Sequence, residues 1–544
     1  MLRLSTIVCL AALSTPCLAQ TALPNSIAAG EVNSHSAVLW TRASSNGWVH
    51  FRFAQNPQFS GGVHHRWAYA HESALPVKVL ASGLQSGCTY YYDATDSNGA
   101  TQSGTFRTAP GSNATPGLHF GVSGDVRGDV MPYGSVSNVP ASQLDFFVHL
   151  GDSIYADVPS PALPGVNQAV TLAEFRAKHN EVYSAFGGTN FLGDLRRSTA
   201  ILAMIDDHEV TNDFAGGAAP SSDPRFDQHG NFINETQLFR NGLKAFVEYN
   251  PLVPTWYGET HDDRTAFKRK LYRAQRYGRT AEVFMLDERS FRDLELPPAN
   301  PADSASVGAF LAASFDPTRT MLGAKQLHDF KHDLLQAQNS GVIWKFVMMP
   351  EPIQNLGVLA ASDRYEGYAA ERSEILGYIV AHGIQNVVFV TADIHGTLVN
   401  DLSYQVGPGQ PQIDTGAFEI STGPIAYDAP FGPTVVGLAY QLGLITQGQY
   451  AFYNSLPTAG KDAFVRSLVD GGLAPLGYNP IGLENSSIPA TLLQGSYVAT
   501  HVYGWSEFEI DAATHALTVT TWGVDPAQPL AAPAISSRFR VDAH

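Results

Sequence analysis

The chain has 544 residues, of which 44% are hydrophobic and 15% charged, with a formal net charge of −17. That length exceeds what one hydrophobic core supports, so two or more domains are expected. The acidic balance argues against binding to a nucleic-acid duplex, which needs Lys and Arg in excess. It leaves room for a small phosphate ester held by a local cation.

Residues 1–19 read as a secretory signal. Arg3 supplies the positive region, Leu4 to Leu13 the apolar region, and Cys17-Leu18-Ala19 a small-residue cleavage site before Gln20. The apolar run is too short to cross a bilayer, and no later stretch approaches a transmembrane helix. A secreted or periplasmic location with cleavage near Ala19 is therefore expected. Cleavage removes Cys9 and Cys17 and leaves Cys88 alone. An intramolecular disulfide is then excluded, and Cys88, in a turn entering a strand, is expected to be a packed thiol.

From about Leu23 to Pro110 the pattern is entirely β. Ala37 to Arg42, Trp48 to Phe53 and Thr89 to Ala94 are short strand-forming runs separated by turns such as Ser45-Asn46-Gly47 and Ser97-Asn98-Gly99. The segments Ala37 to Arg42, Leu84 to Tyr92 and Gly104 to Pro110 resemble a fibronectin type III-like sandwich, here bounded as residues 20–110. The stretch Pro110-Gly111-Ser112-Asn113-Ala114-Thr115-Pro116-Gly117 closes it off.

From Leu118 onward apolar strands alternate with helical stretches such as Leu172 to Phe186 and Gln326 to Gln338, predicting an α/β body over residues 118–544. Its strands share a habit. Leu118 to Gly124 ends in Asp125, Leu144 to Gly151 in Asp152, and Ile201 to Ile205 in Asp206-Asp207-His208. Ala281 to Leu286 ends in Asp287 and Arg289, and Asn386 to Ala392 in Asp393 and His395. Ligands of open α/β sheets gather beyond the carboxyl ends of strands, so these residues are expected to meet at one edge. A Gly/Pro-rich region with amphipathic pieces, near 427–497, reads as an insertion beside that edge. Trp505 to Ile510 and Ala516 to Trp522 read as a closing hairpin.

Clustered carboxylates are costly to desolvate unless a cation neutralises them. With imidazole, amide and phenol but no thiolate, the donors suit Ca, Mg, Mn, Fe(III) or Zn rather than a Cys-zinc site. There is no phosphate-binding Gly-rich fingerprint and no nucleophile elbow. A glycosidase would leave the imidazoles without a role. A multi-metal hydrolase, with one carboxylate shared between ions, accounts for more of the residues.

Four segments sharpen this reading: Gly151-Asp152-Ser153-Ile154-Tyr155-Ala156-Asp157, Asp206-Asp207-His208-Glu209-Val210-Thr211-Asn212-Asp213, Leu286-Asp287-Glu288-Arg289-Ser290-Phe291-Arg292 and Ala392-Asp393-Ile394-His395. In this order they resemble the motif series of the PhoD-type alkaline phosphatases. That branch of the calcineurin-like metallophosphoesterases includes phosphodiesterases and some phospholipase D enzymes. The resemblance implies a layered β-sheet core flanked by helices, preceded by a β module, and hydrolysis of a phosphomonoester or phosphodiester. A phospholipase D or nucleotide phosphodiesterase is the alternative within the class, and a non-catalytic metal-binding adhesion protein the alternative outside it.

Carried over residue by residue, the resemblance makes Asp152 the bridging carboxylate and Tyr155 a phenol ligand to ferric iron. Asp207 becomes a ligand with Asp206 beside it, and His208 the group that polarises a substrate oxygen or protonates the leaving group. Asn212 completes a metal shell, Asp393 and His395 form the last ligand motif, and Arg289 is a phosphate clamp or the partner of Asp287. The implied ions are Ca2+ with Fe3+ or another transition metal, with Zn2+ or Mn2+ as alternatives. Where the family has Ser-Cys-Gln, this chain has Ser123-Gly124-Asp125. Asp125 then supplies the first ligand, which makes the site harder.

Overall fold

The computed structural model describes residues 22–544, so the segment read as a signal lies outside the described residues. The N-terminal module forms seven strands: β1 (Ile27–Gly30), β2 (Ser36–Arg42), β3 (Gly47–Ala54), β4 (His64–Ala70), β5 (Pro76–Ser82), β6 (Thr89–Thr95) and β7 (Thr101–Arg107). Alternation decides which face each strand buries. Val49, Phe51 and Phe53 of β3 point into a core shared with Tyr92, Ala94 and Phe106, while Trp48, His50 and Arg52 face outward. Strands β4, β3, β6 and β7 make one antiparallel sheet, and β1, β2 and β5 lie in another.

That second sheet does not stop at the module. In the body, β8 (Leu118–Val126), β9 (Phe146–Leu150) and β10 (Ala200–Met204) run parallel, and β1 continues them by pairing in parallel with β10, Ala29 opposite Ala200. Strand pairing thus crosses the turn-rich stretch at 110–117. Trp40 of β2 is buried against the body, its indole N–H donating to the Glu248 carbonyl at 2.9 Å. Cys88 is a free, half-buried thiol.

A second layer contains β11 (Arg273–Tyr277), β12 (Ala281–Met285), β13 (Trp344–Met348), β14 (Val387–Thr391), β15 (Thr397–Tyr404) and β16 (Ile413–Ser421). Strands β12, β13, β14 and β16 are parallel neighbours. Short β17 (Pro424–Ala426) crosses to pair with β8. The chain then forms β18 (Ala490–Gly495), β19 (Val498–Ala499), β20 (Tyr503–Ile510), β21 (Leu517–Val524) and β22 (Ala534–Val541). The β20–β21 hairpin pairs through β20 with β8, as the alternation of Trp505 to Ile510 predicts.

The two layers meet face to face on aromatic rings. Phe120 of β8 stacks on Phe146 at 4.7 Å and on Phe508 at 4.8 Å, and meets Phe346 of β13 edge-on at 4.9 Å. Helices cover the outer faces. Leu172–Tyr183 begins at a Thr171–Glu174 capping box, and Ala324–Asn339 buries Leu327, Phe330 and Leu334. The predicted insertion contains the helices Phe431–Gln441, Gln447–Ser455 and Thr458–Leu473. Its last residues, however, belong to the main sheet, because β18 pairs with β22.

Candidate metal centre

Both layers present the carboxyl ends of their parallel strands on one side. Asp125 ends β8, Asp152 follows β9, and Asp206 and Asp207 follow β10. Glu351 follows β13, and Asp393 and His395 follow β14. The backbone is strained where these side chains turn inward. Asp125, Asp152, Asp393 and His395 have φ of 58°, 51°, 57° and 59°, a left-handed conformation that non-glycine residues rarely adopt. Such strain persists where the surroundings over-determine it, typically at functional sites. Gly151, at φ 80°, makes the turn before Asp152, and a Cβ there would stand 2.5 Å from the Asp206 Cβ.

Two sets of potential ligand atoms, each mutually within 4.8 Å, share one residue. They are Asp125, Asp152 and His395, and Asp152, Asp207 and His208. A third set is Asp206, Glu351 and Asp393. Both Asp125 carboxylate oxygens, the Asp207 Oδ1 and one Glu351 oxygen are buried without a hydrogen-bond partner. Buried polar atoms left this way are expensive unless something else satisfies them, and a cation does so. The donor set therefore fits divalent metal ions, with Asp152 placed to bridge two of them.

Two tyrosines order the imidazoles. The Tyr155 hydroxyl lies 3.2 Å from His395 Nε2, and its ring centroid is 4.2 Å from that of His208. Tyr427, just beyond β17, stacks on His395 at 3.6 Å. His208 Nδ1 is 2.6 Å from Asp157, which fixes the ring and leaves Nε2 free. The opening is narrow but present, since the side chains of His208, His395 and Asp393 keep 12%, 17% and 26% exposure.

Electrostatics follow from burial and crowding. Burial and the neighbouring Asp207 and Asp206 push the Asp152 carboxyl far above the usual range, and burial with Asp206 does the same to Asp393. Burial also disfavours charge on Asp207, but His208 and Arg289 outweigh it and hold its carboxyl low. Burial opposes protonation of His208 as well, yet Asp207 and Asp157 push it up to about 10. Burial and Asp152 keep the Tyr155 phenol protonated well beyond its ordinary range.

Arg289 and Asn212 each have protein partners. Arg289 is fully buried rather than turned to a substrate. Its Nε donates to Asp206 at 2.5 Å and its Nη1 to Asp363 at 3.0 Å, while Nη2 pairs with Glu351. It also lies 3.8 Å from Asp207 and 4.0 Å from Asp393, so its fork faces protein carboxylates on every side. Asp287 accepts the backbone N–H groups of Arg289 and Ser290 rather than the guanidinium. Arg292, which pairs with Asp363 and lies 3.7 Å from Glu351, joins Arg289 against the third acidic set. Asn212 is exposed and its amide donates to Asp213 at 2.5 Å. Next to it, Asp213 takes a left-handed φ of 52°, and its N–H donates to Asp207 at 2.6 Å.

Several contributors escaped the sequence reading. Glu351 follows the same strand-then-acid habit after Trp344–Met348, a signal that was there to be read. Glu209 is fully buried and accepts the backbone N–H groups of Asp152, Ser153 and Asp206, bracing two ligand turns against each other. At Gly124 a Cβ would approach the Leu150 carbonyl to 2.8 Å. A side chain there is excluded sterically, and the carboxylate comes from Asp125 next to it.

Parallel strand ends on two packed sheets thus offer acid–imidazole sets, joined through one aspartate, that suit divalent metal ions. Comparison with known proteins gives the family. The profile of PhoD-like phosphatases matches residues 123–443, and that of their N-terminal domain residues 10–110. The chain belongs to the PhoD-like phosphatase family. It is 26% identical over 411 residues to alkaline phosphatase D of Bacillus subtilis (strain 168), covering 69% of this chain and 65% of that relative. The chain thus matches a little less than two thirds of that relative's length. A solved structure of PhoD superposes with a TM-score of 0.68 at 19% identity, covering 96% of this chain and 90% of the other. A purple acid phosphatase from yellow lupin (Lupinus luteus) seeds shares the fold at a TM-score of 0.50 and 9% identity, over 96% of this chain and 74% of the other.

Proposed function

We propose that the chain is an extracytoplasmic, metal-dependent hydrolase of phosphate esters, acting on monoesters, diesters or both. The observation that carries this is the sharing of Asp152 between two acid–imidazole sets, as in-line displacement at phosphorus by two ions requires. In this reading Asp125, Asp152, Tyr155 and His395 hold one ion, and Asp152 and Asp207, with Asp393 nearby, hold the other. When bound, the ions supply Lewis acidity, a water of lowered pKa and charge neutralisation for the transferring phosphoryl group. His208, oriented by Asp157, donates a proton to the leaving oxygen. Arg289 positions Asp206 and holds the acidic wall together rather than touching substrate.

The donors are oxygen and imidazole without thiolate, which favours Ca2+ or Mn2+, with Fe3+ or Zn2+ at the Tyr155 side. The seven-strand module, split three and four between two sheets, is read as fibronectin type III-like over residues 20–110. The body is read as 118–544, with 427–497 inserted beside the metal edge. Residues 1–19 are read as a secretory signal cleaved near Ala19, and the protein as periplasmic or secreted.

Hydrolysis of p-nitrophenyl phosphate and bis-p-nitrophenyl phosphate by the native protein, with and without chelator, tests the reading alongside elemental analysis. Chelator-sensitive release from at least one ester is expected, with two or more ions per chain. Full metal content with no release from either ester would overturn it.

A further inference from the structure

Where the end of β1 meets the start of β11 lies a cleft of about 390 Å³, within the range of small-molecule sites. No residue of the metal edge lines it. Three cations do, Arg269, Lys270 and Arg273, against two acids, Glu31 and Asp333. That excess stands out in a chain of formal charge −17. Both acids are engaged: Glu31 pairs with Arg273 at 2.8 Å, and Asp333 accepts the Tyr272 hydroxyl at 2.7 Å. Lys270 has Asp329 at 3.4 Å. Behind the wall, the Lys78 ammonium donates to the carbonyls of two lining residues, Val247 and Leu252.

Arg269 differs from its neighbours. Thr255 to Tyr257 pairs with Lys268 to Lys270 as a short antiparallel ladder, which sets Trp256 directly across from Arg269. The indole covers one face of the guanidinium, whose carbon lies 4.3 Å from the ring centroid. Among the described residues no carboxylate pairs with Arg269. Its Nη1 is buried with no hydrogen-bond partner, and burial alone acts on its ionisation, lowering it. The ring attracts the charge but offers Nη1 no acceptor, and a half-buried cation left this way costs stability until an anion meets it. The rest of the lining is largely apolar, with Leu252, Val253, Pro254 and Leu271 prominent, and Val253 and Trp256 carry that surface outward.

We propose that this cleft is a second binding site, for a small organic oxyanion. The anionic head pairs with the Arg269 fork, and a compact apolar body lies against Leu252, Val253 and Leu271. A neutral ligand leaves the guanidinium unpaired, a cationic one is repelled, and a bare inorganic ion leaves the apolar lining uncovered. The site is additional to the metal edge and independent of the hydrolase reading.

The test is calorimetric titration of the native, full-length protein with phenylphosphonate, whose C–P bond is not an ester and survives a hydrolase. The metal edge can take the same probe, so Asp152→Asn is titrated alongside. A binding event that persists in Asp152→Asn and is weakened at least about tenfold by Arg269→Gln is expected. Inorganic phosphate should bind there at least about tenfold more weakly than phenylphosphonate, and benzyl alcohol should not compete. Arg269→Gln removes an uncompensated charge, so it should unfold in urea no earlier than wild type, and phenylphosphonate should raise the midpoint of wild type but not of the variant. Loss of all binding in Asp152→Asn, or equal binding by wild type and Arg269→Gln, overturns the proposal. Equal affinity for phenylphosphonate and inorganic phosphate, or competition by benzyl alcohol, overturns it too, the first by removing the apolar body and the second by removing the anion. An earlier unfolding midpoint for Arg269→Gln makes Arg269 a structural cation and counts against the site in the same way.

Discussion

Replacing Arg289 by Gln separates a brace from a clamp. The guanidinium makes charge-assisted bonds to Asp206 at 2.5 Å and Asp363 at 3.0 Å and pairs with Glu351, all in the interior. Each bond to a charged group contributes roughly 1.5–3 kcal/mol, and removing one partner of a buried ionic set typically destabilises by about 3–5 kcal/mol. The variant leaves acids facing one another with only Arg292 as a cation, so a loss of about 3–5 kcal/mol is expected. Urea unfolding followed by tryptophan fluorescence on chelator-treated protein reads this without interference from metal binding, transition by transition because the chain has more than one core. Turnover of p-nitrophenyl phosphate should fall together with stability. A variant that unfolds at the wild-type midpoint and merely loses kcat/KM would refute the brace and restore a substrate-binding guanidinium.

Two further outcomes follow from the geometry. Gly151→Ala puts a Cβ 2.5 Å from that of Asp206 and forces alanine to φ 80°, which should destabilise by about 1–3 kcal/mol and lower metal content on elemental analysis; unchanged melting and metal content would show that the turn relaxes freely. Glu371 is buried, accepting the N–H groups of Met321 and Leu322 at 3.0 Å each, and burial pushes it up from 4.5 to about 7. The folded state then keeps a proton that the unfolded chain has released, so its contribution is full below about pH 4.5 and is lost as pH rises through about 7. Wild-type stability should accordingly fall relative to Glu371→Gln across that window, and parallel stability–pH curves would contradict it.

Much of the metal edge could be read from strand periodicity alone. Apolar runs that end in Asp or His can serve only a sheet edge, and Asp125, Asp152, Asp207, Asp393 and His395 are all brought to one. What could not be read depends on contacts distant in sequence. Arg289 meets Asp206, Glu351 and Asp363, residues 62 to 83 positions away, so no local pattern reveals that its fork is already engaged. Asn212 sits among ligands in sequence, yet it is exposed and bonded to Asp213. The β module was legible as strands, whereas its union with the body through β1 and β10 was not, because only two residues of each strand pair. Tyr427 was hidden for a similar reason: it stands at the start of a region with no cluster of its own, and its partner His395 lies on another strand end.

The pairing of β1 with β10 also bears on how the molecule holds together once made. Ala200–Met204 is a fully buried run, Ala-Ile-Leu-Ala-Met, with β9 on one side and β1 on the other. A fragment beginning at Leu118 would carry every metal ligand and still present that run as a bare, flat, apolar margin with unpaired backbone groups. Such a margin is a template for another chain's strand. In the intact chain β1 of the β module occupies the start of that margin, pairing with Ala200 and Ile201.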